Sequence, residues 1–401
     1  MNQNRNKWDV FFQKLGETFR KKQGEAMDLR VYQRIKHRKK RILLCVAAVL
    51  LLAGVLAVML HVAQTYQKLG DSWTDVNGTI YEPFGKNLLK YSPDGASCIS
   101  KKGEVLWSTT YSMQTPVADF CGTAAAVAEQ QGTQVFVFNA DGLMGQFDTT
   151  LPILKVKVAK QGVVAVVLQD SDVTWINFYE PDGTQIAENR TTINDSGYPM
   201  DISLSPDGLK IMVSYLMATQ GNLSTKVAFY NFDSVGQAQI NNLVSSENFE
   251  NTVVPEVFFT DSGTAVAVHN EGFSVYRGSQ IPELKVEKTF EEEILSTFHD
   301  NSHIGFVFAS EKENYKYRME IYDLNGRRTM RKYLTDVYSG IRIQDDEVIL
   351  YDQKKFQIYT TSGRKTASIV YEKAISEVVK AGSFGTYLVA GNDSTDLIRI
   401  W

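Results

Sequence analysis

His299 and His303, four residues apart in Phe298-His-Asp-Asn-Ser-His-Ile304, have the spacing that would set two zinc ligands on one face of a helix. The Asp-Asn-Ser between them favours a turn, so the segment reads as the corner between two strands and no zinc pair is expected. Glu291-Glu-Glu293, just upstream, reads as a solvated edge. His269 closes an apolar run and is expected to be a satisfied structural residue, not a base. Gln169-Asp-Ser-Asp172 and Gln344-Asp-Asp-Glu347 come nearest to a calcium loop. Calcium needs oxygen ligands at several alternating positions, and neither turn holds more than three carboxylates, so both read as solvated loops. There is no Gly-x-Ser-x-Gly elbow and no Gly-x-x-x-x-Gly-Lys-Ser/Thr phosphate loop. Cys98 and Cys121 sit in strand contexts that suit buried free thiols, with a disulfide between them as the alternative. No catalytic residue, metal or cofactor is therefore assigned, and the chain leans away from being an enzyme.

The element that would place any site is an apolar run. Ile42 to Gln67 contains no Asp, Glu, Lys or Arg, and Ile42 to Leu60 is almost continuously apolar. A helix of about 20 apolar residues spans roughly 30 Å of hydrocarbon. Arg34, Lys36, Arg38, Lys39, Lys40 and Arg41, with His37, precede the run, and such a flank stays cytoplasmic. The sequence thus predicts a basic cytoplasmic tail at 1–41, a transmembrane helix at 42–66, a stalk at 67–77 and an extracellular domain at 78–401. A cleaved signal peptide would be shorter, nearer the N-terminus and ended by small residues; here His61-Val-Ala-Gln-Thr-Tyr66 follows instead, and Cys45 lies inside the span. The expected location is the cell membrane, single-pass.

Charge divides the chain at the same place. The tail carries a net +9 and residues 42–401 a net −13. An acidic outer domain would repel phosphate, so nucleic acid is excluded as its ligand. Within the tail, Trp8, Phe11, Phe12, Leu15 and Phe19 share one helical face, with Lys7, Lys14, Arg20, Lys21 and Lys22 on or beside the other. This is an amphipathic helix suited to a membrane surface, or alternatively to the groove of a cytoplasmic partner.

Beyond Gly70 helical periodicity gives way to a repeat. A short alternating strand, a turn ending in Gly and a second strand recur. Examples are Ala96 to Trp107, Val135-Phe-Val-Phe-Asn-Ala-Asp-Gly142, Trp175 to Gly183, Met319 to Gly326 and Phe356 to Gly363; Val227 to Asp233 and Phe273 to Gly278 are looser copies. Asp-Gly, Asn-Gly and Ser-Gly supply the backbone angles of tight hairpins. A second pair of strands precedes many of them, as in Asp201 to Ser214 and Val257 to Val268. Two strands plus a hairpin about every 40 residues is the period of a β-propeller blade. Seven hairpins end near 107, 147, 187, 240, 288, 333 and 370, and three further strands follow. The fold class is all-β, an eight-bladed propeller with seven blades as the alternative, its last blade closed by a strand from within 71–84.

The layout of basic tail and single span, with Leu88-Leu-Lys-Tyr-Ser-Pro-Asp-Gly95, Gly103-Glu-Val-Leu-Trp107 and Phe136-Val-Phe-Asn-Ala-Asp-Gly142, resembles an uncharacterised family of membrane-anchored propellers from Gram-positive anaerobic bacteria. The Gly-x-x-x-Trp element is also similar to blades of quinoprotein-type propellers and of outer-membrane assembly scaffolds. The resemblance implies architecture and localisation and no activity.

Three functions fit these features. The leading one is a scaffold whose faces and central funnel bind an envelope protein or peptide, since Tyr and Phe are abundant and aromatic residues dominate contact hot spots. The second is a sensor of a small ligand or cell-wall glycan. The third is an enzyme of polysaccharide or quinone-dependent chemistry, which requires two or more carboxylates or a metal site converging on the axis. Interblade loops hold the contact candidates Tyr111, Met113, Tyr198, Met217 and Tyr338, with gap-filling between blades as the alternative role for each.

Overall fold

The computed structural model describes residues 13–14, 42–49, 61–170, 173–219, 222–382 and 385–401. Trp8, Phe11, Phe12, Leu15, Phe19, Arg34, Lys36, Arg38, Lys39, Lys40 and Arg41 lie outside the described residues, as does most of the apolar run. Residues 42–49 are helical, and no helix among the described residues is long and apolar enough to cross a membrane. The chain divides at His61 into an N-terminal unit and a second unit, Val62–Trp401.

The second unit is an eight-bladed β-propeller. Eight separate antiparallel sheets follow one another along the chain, seven with four strands and the last with a composite edge. Blade 1 occupies 80–110, blade 2 116–148, blade 3 153–192, blade 4 198–250, blade 5 256–289, blade 6 294–334, blade 7 340–370 and blade 8 377–400. In each blade the first strand is innermost, and the inner strands of successive blades approach one another around the axis.

The core sits between blades. Among the described residues there are eight apolar clusters, one at each blade–blade contact. The two-residue period of a strand explains how one blade serves two of them. In Ala124–Glu129 of blade 2, Ala124, Ala126 and Ala128 pack toward blade 3, while Ala125 and Val127 pack toward blade 1. Second strands are consequently apolar on both faces, as in Val164–Asp170 and Thr264–His269.

Blade 4 departs from the regular pattern. Its middle strands, Lys210–Thr219 and Asn222–Asn231, are ten residues long. A short helix at Ser234–Gln237 and a helical turn at Ile240–Asn242 delay the outer strand to Leu243–Glu250. The hairpin expected to end near 240 therefore ends at 250.

Closure also differs from expectation. The outer edge of blade 8 is built by Tyr66–Lys68 and Trp73–Thr74, both paired with Ser394–Ile400. Only the second of these falls within 71–84, and Ile80–Phe84 is the inner strand of blade 1. Residues read as stalk, and Tyr66 at the end of the expected membrane helix, are thus strand residues of the ring. Buried Asp396 fixes this edge, accepting hydrogen bonds from Ser72 and Tyr371 and pairing with Lys373 at 3.0 Å and Lys68 at 3.4 Å. Its carboxyl is held at a pKa of about 2: burial opposes the charge, but the Ser72, Tyr371 and Lys373 hydrogen bonds outweigh it.

Candidate functional site

The inner strand of every blade carries a charged or imidazole side chain between its core residues, and these converge on the axis. A first strand has a free edge toward the axis, with backbone groups that no further strand can satisfy. Neighbouring blades meet that need. Asp119 of blade 2 accepts the Val158 N–H of blade 3 at 2.8 Å and pairs with Lys157 at 3.2 Å. Asp201 of blade 4 pairs backward with Lys155 at 2.9 Å and accepts the Val257 N–H of blade 5 at 2.9 Å. Glu256 of blade 5 accepts from Thr297 at 3.3 Å and faces His299 Nε2 at 3.2 Å, both on blade 6. Arg342 of blade 7 binds Glu82 of blade 1 through two contacts of 2.8 and 2.9 Å, and reaches Glu377 of blade 8 at 3.2 Å.

These contacts set the charge states. Burial works against the Lys157 ammonium, but Asp119, Asp201 and Glu256 outweigh it and its pKa is raised. Burial likewise opposes charge on Glu256, yet the His299 and Thr297 hydrogen bonds hold its pKa down. Glu377 goes the other way: burial, helped by the Glu82 charge and only partly offset by Arg342, pushes it up to about 7.

Around the axis lie two adjoining cavities of about 810 and 490 Å³ that share Phe120, Gly122, His299 and Asn301 in their walls. Turns joining first and second strands line them, including Asp300–Ser302, Asp345–Asp346 and Lys160, with Asp261 at the end of the blade 5 inner strand. The His299 ring lies flat on Phe258, centroids 3.5 Å apart at 5°, which gives the wall an aromatic panel. Carboxylates do converge here, as an enzyme would require, but Asp119, Asp201, Glu256 and Glu82 are each committed to a neighbouring blade. Glu82 and Arg342 line the larger cavity, whereas Glu377 is not among its lining residues. Cys121 lines the smaller one, and burial followed by the Asp119 charge raises its thiol pKa, so it is not an activated nucleophile. The arrangement suits non-covalent recognition in a polar, preformed funnel.

Residues 60–400 match the family of unknown function DUF5711. The chain belongs to that family. The match covers the ring with both of its closing strands, so the DUF5711 region and the propeller coincide. This member is similar in structure to Saccharomyces cerevisiae Sqt1 (TM-score 0.53, 13% identity, covering 84% of this chain and 98% of that one). It is similar also to the WD40 domain of SCAP from fission yeast (0.51, 9%, 84% and 98%). BamB from Moraxella catarrhalis superposes at 0.48, with 8% identity over 84% of this chain and 100% of that one. At such identities the likeness is one of fold. No curated protein matches the chain by sequence.

The contact candidates read from the sequence are not gathered at the funnel. Met113 is buried and Tyr111 half-buried in the core between blades 1 and 2, Tyr111 leaning on Phe136 at 5.1 Å. Tyr338 packs into the contact between blades 6 and 7. Tyr198 is exposed at the start of the blade 4 inner strand, and Met217 is half-buried on the strand it pairs with. His299 and His303 flank a turn, as read, and they diverge: His303 faces Asp300 at 3.5 Å. No group of three or more metal-ligating side chains occurs among the described residues. His269 is structural but not satisfied, since both ring nitrogens lack a hydrogen-bond partner and the ring leans on Phe249. Cys98 and Cys121 are both free thiols, Cys98 buried and Cys121 half-buried. What the sequence reading missed is the axial ring itself. Its signal was present as a charged or imidazole residue in each first strand, at mid-strand for example in Glu82 of Ile-Tyr-Glu-Pro-Phe84 and Arg342 of Gly-Ile-Arg-Ile-Gln344.

Proposed function

We propose that this chain is a single-pass membrane protein that holds its propeller outside the cytoplasmic membrane as a scaffold for an envelope protein or peptide, with the axial funnel as the seat. The observation that carries the reading is the funnel: an open cavity whose wall residues are fixed in place by ion pairs between blades, so that little ordering cost falls on binding. The uncharged run Ile42–Leu60 with its basic flank supports the anchoring and the orientation. The amphipathic face of the tail gives the inner side a place on the membrane surface or a groove to occupy. The test is photo-crosslinking in the cells that make the protein, with the reactive residue at Asn301 in the funnel or at Asn241 on the outside of blade 4. Discrete protein adducts from position 301 and not from 241 are expected. Identical patterns at both positions, or none at 301, overturn the scaffold reading.

The volume of the larger cavity also lies in the range of small-ligand sites, about 300–1,000 Å³. The smaller cavity, about 490 Å³ and within the same range, adds the flat His299–Phe258 panel beside carboxylates, and together they favour a glycan or small-molecule sensor as the second reading. That reading predicts no protein adduct at 301, and protection of the Cys121 thiol from alkylation by cell-wall fragments.

A further inference from the structure

The chain joins the propeller at its rim. Ala63 donates its N–H to Thr366 at 2.8 Å and accepts the Ser368 N–H at 2.9 Å, lying along the outer strand of blade 7. Tyr66–Lys68 then continues onto blade 8. Only His61 and Val62 separate Ala63 from the apolar run that ends at Leu60. From Leu60 to Ala63 is at most about 11 Å of extended chain. The blade 7 outer strand, Lys365–Val370, is about 20 Å long, and Ala63 meets it near its middle.

The same rim has a chemistry unlike the rest of an acidic domain. Lys332 and Lys365 stand over the Tyr359 ring at 5.8 and 5.4 Å, and Lys355 lies close by. Lys355 pairs with Asp336 at 2.7 Å, while among the described residues no carboxylate is within ion-pair reach of Lys332 or Lys365. Burial first, then the charges of Lys355 and Lys332, lower the Lys365 pKa against the opposing charge of Asp336. Two exposed aliphatic side chains accompany the cluster, Val370 at 75% and Val337 at 54%. Lysines with exposed valines beside the point where an apolar segment departs are suited to the headgroup region of an anionic bilayer.

We propose that the rim of blades 6 and 7, through Lys332, Lys355, Lys365 and Val370, rests on anionic lipid headgroups. The proposal rests on the membrane-anchored reading. It is tested with the full-length chain in vesicles of 30% phosphatidylglycerol in phosphatidylcholine, and in phosphatidylcholine alone. Lysine acylation is read by mass spectrometry, with exposed Lys101 and Lys102 on blade 1 as the reference. Labelling of Lys332, Lys355 and Lys365 falls at least threefold in the anionic vesicles and recovers in 0.5 M NaCl, while Lys101 and Lys102 do not change. A variant carrying Lys332→Glu and Lys365→Glu loses the protection of Lys355. A chain that floats with both vesicle types but labels equally in both overturns the proposal and leaves the anchor standing. Protection by soluble polyphosphate, with none from anionic lipid, overturns it in favour of a free polyanion. A chain that floats with neither overturns the anchor and the proposal together.

Discussion

Glu377 gives the axial ring a measurable signature. Replacing it with Gln leaves the Arg342 contacts to Glu82 intact and substitutes a neutral group for a carboxyl whose pKa the fold raises from 4.5 to about 7. The folded protein binds this proton more tightly than the unfolded chain does. Stability contributed by the protonated group is therefore present below pH 4.5 and is lost as pH rises through about 7. At about 1.4 kcal/mol for each tenfold change in proton affinity, the full loss is about 3 kcal/mol. Most of it, about 2 to 3 kcal/mol, falls between pH 5 and pH 8. Urea unfolding followed by tryptophan fluorescence at these two pH values reads the effect directly. Glu377→Gln is expected to be close to wild type at pH 5 and more stable by about 2 kcal/mol or more at pH 8. A difference between the two proteins that is the same at both pH values refutes the assignment of a buried, proton-holding carboxyl to this position.

Three other outcomes follow from the same kind of reasoning. His269→Leu removes an acid liability: burial lowers the histidine to about 4, so stability is lost as pH falls from 6.5 toward 4, by about 3 kcal/mol, and the variant should gain about 2 kcal/mol on the wild-type protein in urea unfolding between pH 7 and pH 4.5. Asp396→Asn should destabilise the ring by about 2–4 kcal/mol, because Lys68 and Lys373 lose a buried partner, and limited proteolysis should then cut within 69–76. Phe306→Ala empties a fully buried site in the core between blades 5 and 6; a loss of about 3–5 kcal/mol in urea unfolding is expected, and a loss under 1 kcal/mol would mean that the blades repack.

The parts of this fold that were legible in the sequence are those whose cause is local. The outer hairpins of blades 1, 2, 3, 6 and 7 announce themselves because their turns need positive φ, which Gly103, Gly142, Gly183, Gly326 and Gly363 supply. Blade 4 was read short because its turn contains helical residues with no such glycine. The closing strands were displaced or missed because three residues, Tyr66–Lys68, carry no alternation of their own and are strand only through Ile398–Ile400. The funnel was illegible for a related reason. A charged residue within a strand looks solvent-facing until the neighbouring blade is known, and Asp201 serves residues 46 and 56 positions away. The aromatic loop residues misdirected attention, since Tyr111 and Tyr338 fill the wedges that open between blades.

Closure by both ends of the chain also orders events during synthesis. The first strand made, Tyr66–Lys68, has no partner until Ile398–Ile400 emerges more than 330 residues later. At about 5–20 residues per second that is a wait of roughly 15–65 s. Seven blades can mature in turn while one unpaired edge stays open, and the ring gains its closing contact only when Ser394–Ile400 arrives, so the joint between blade 8 and its N-terminal edge is the last part of the fold to become protected from exchange.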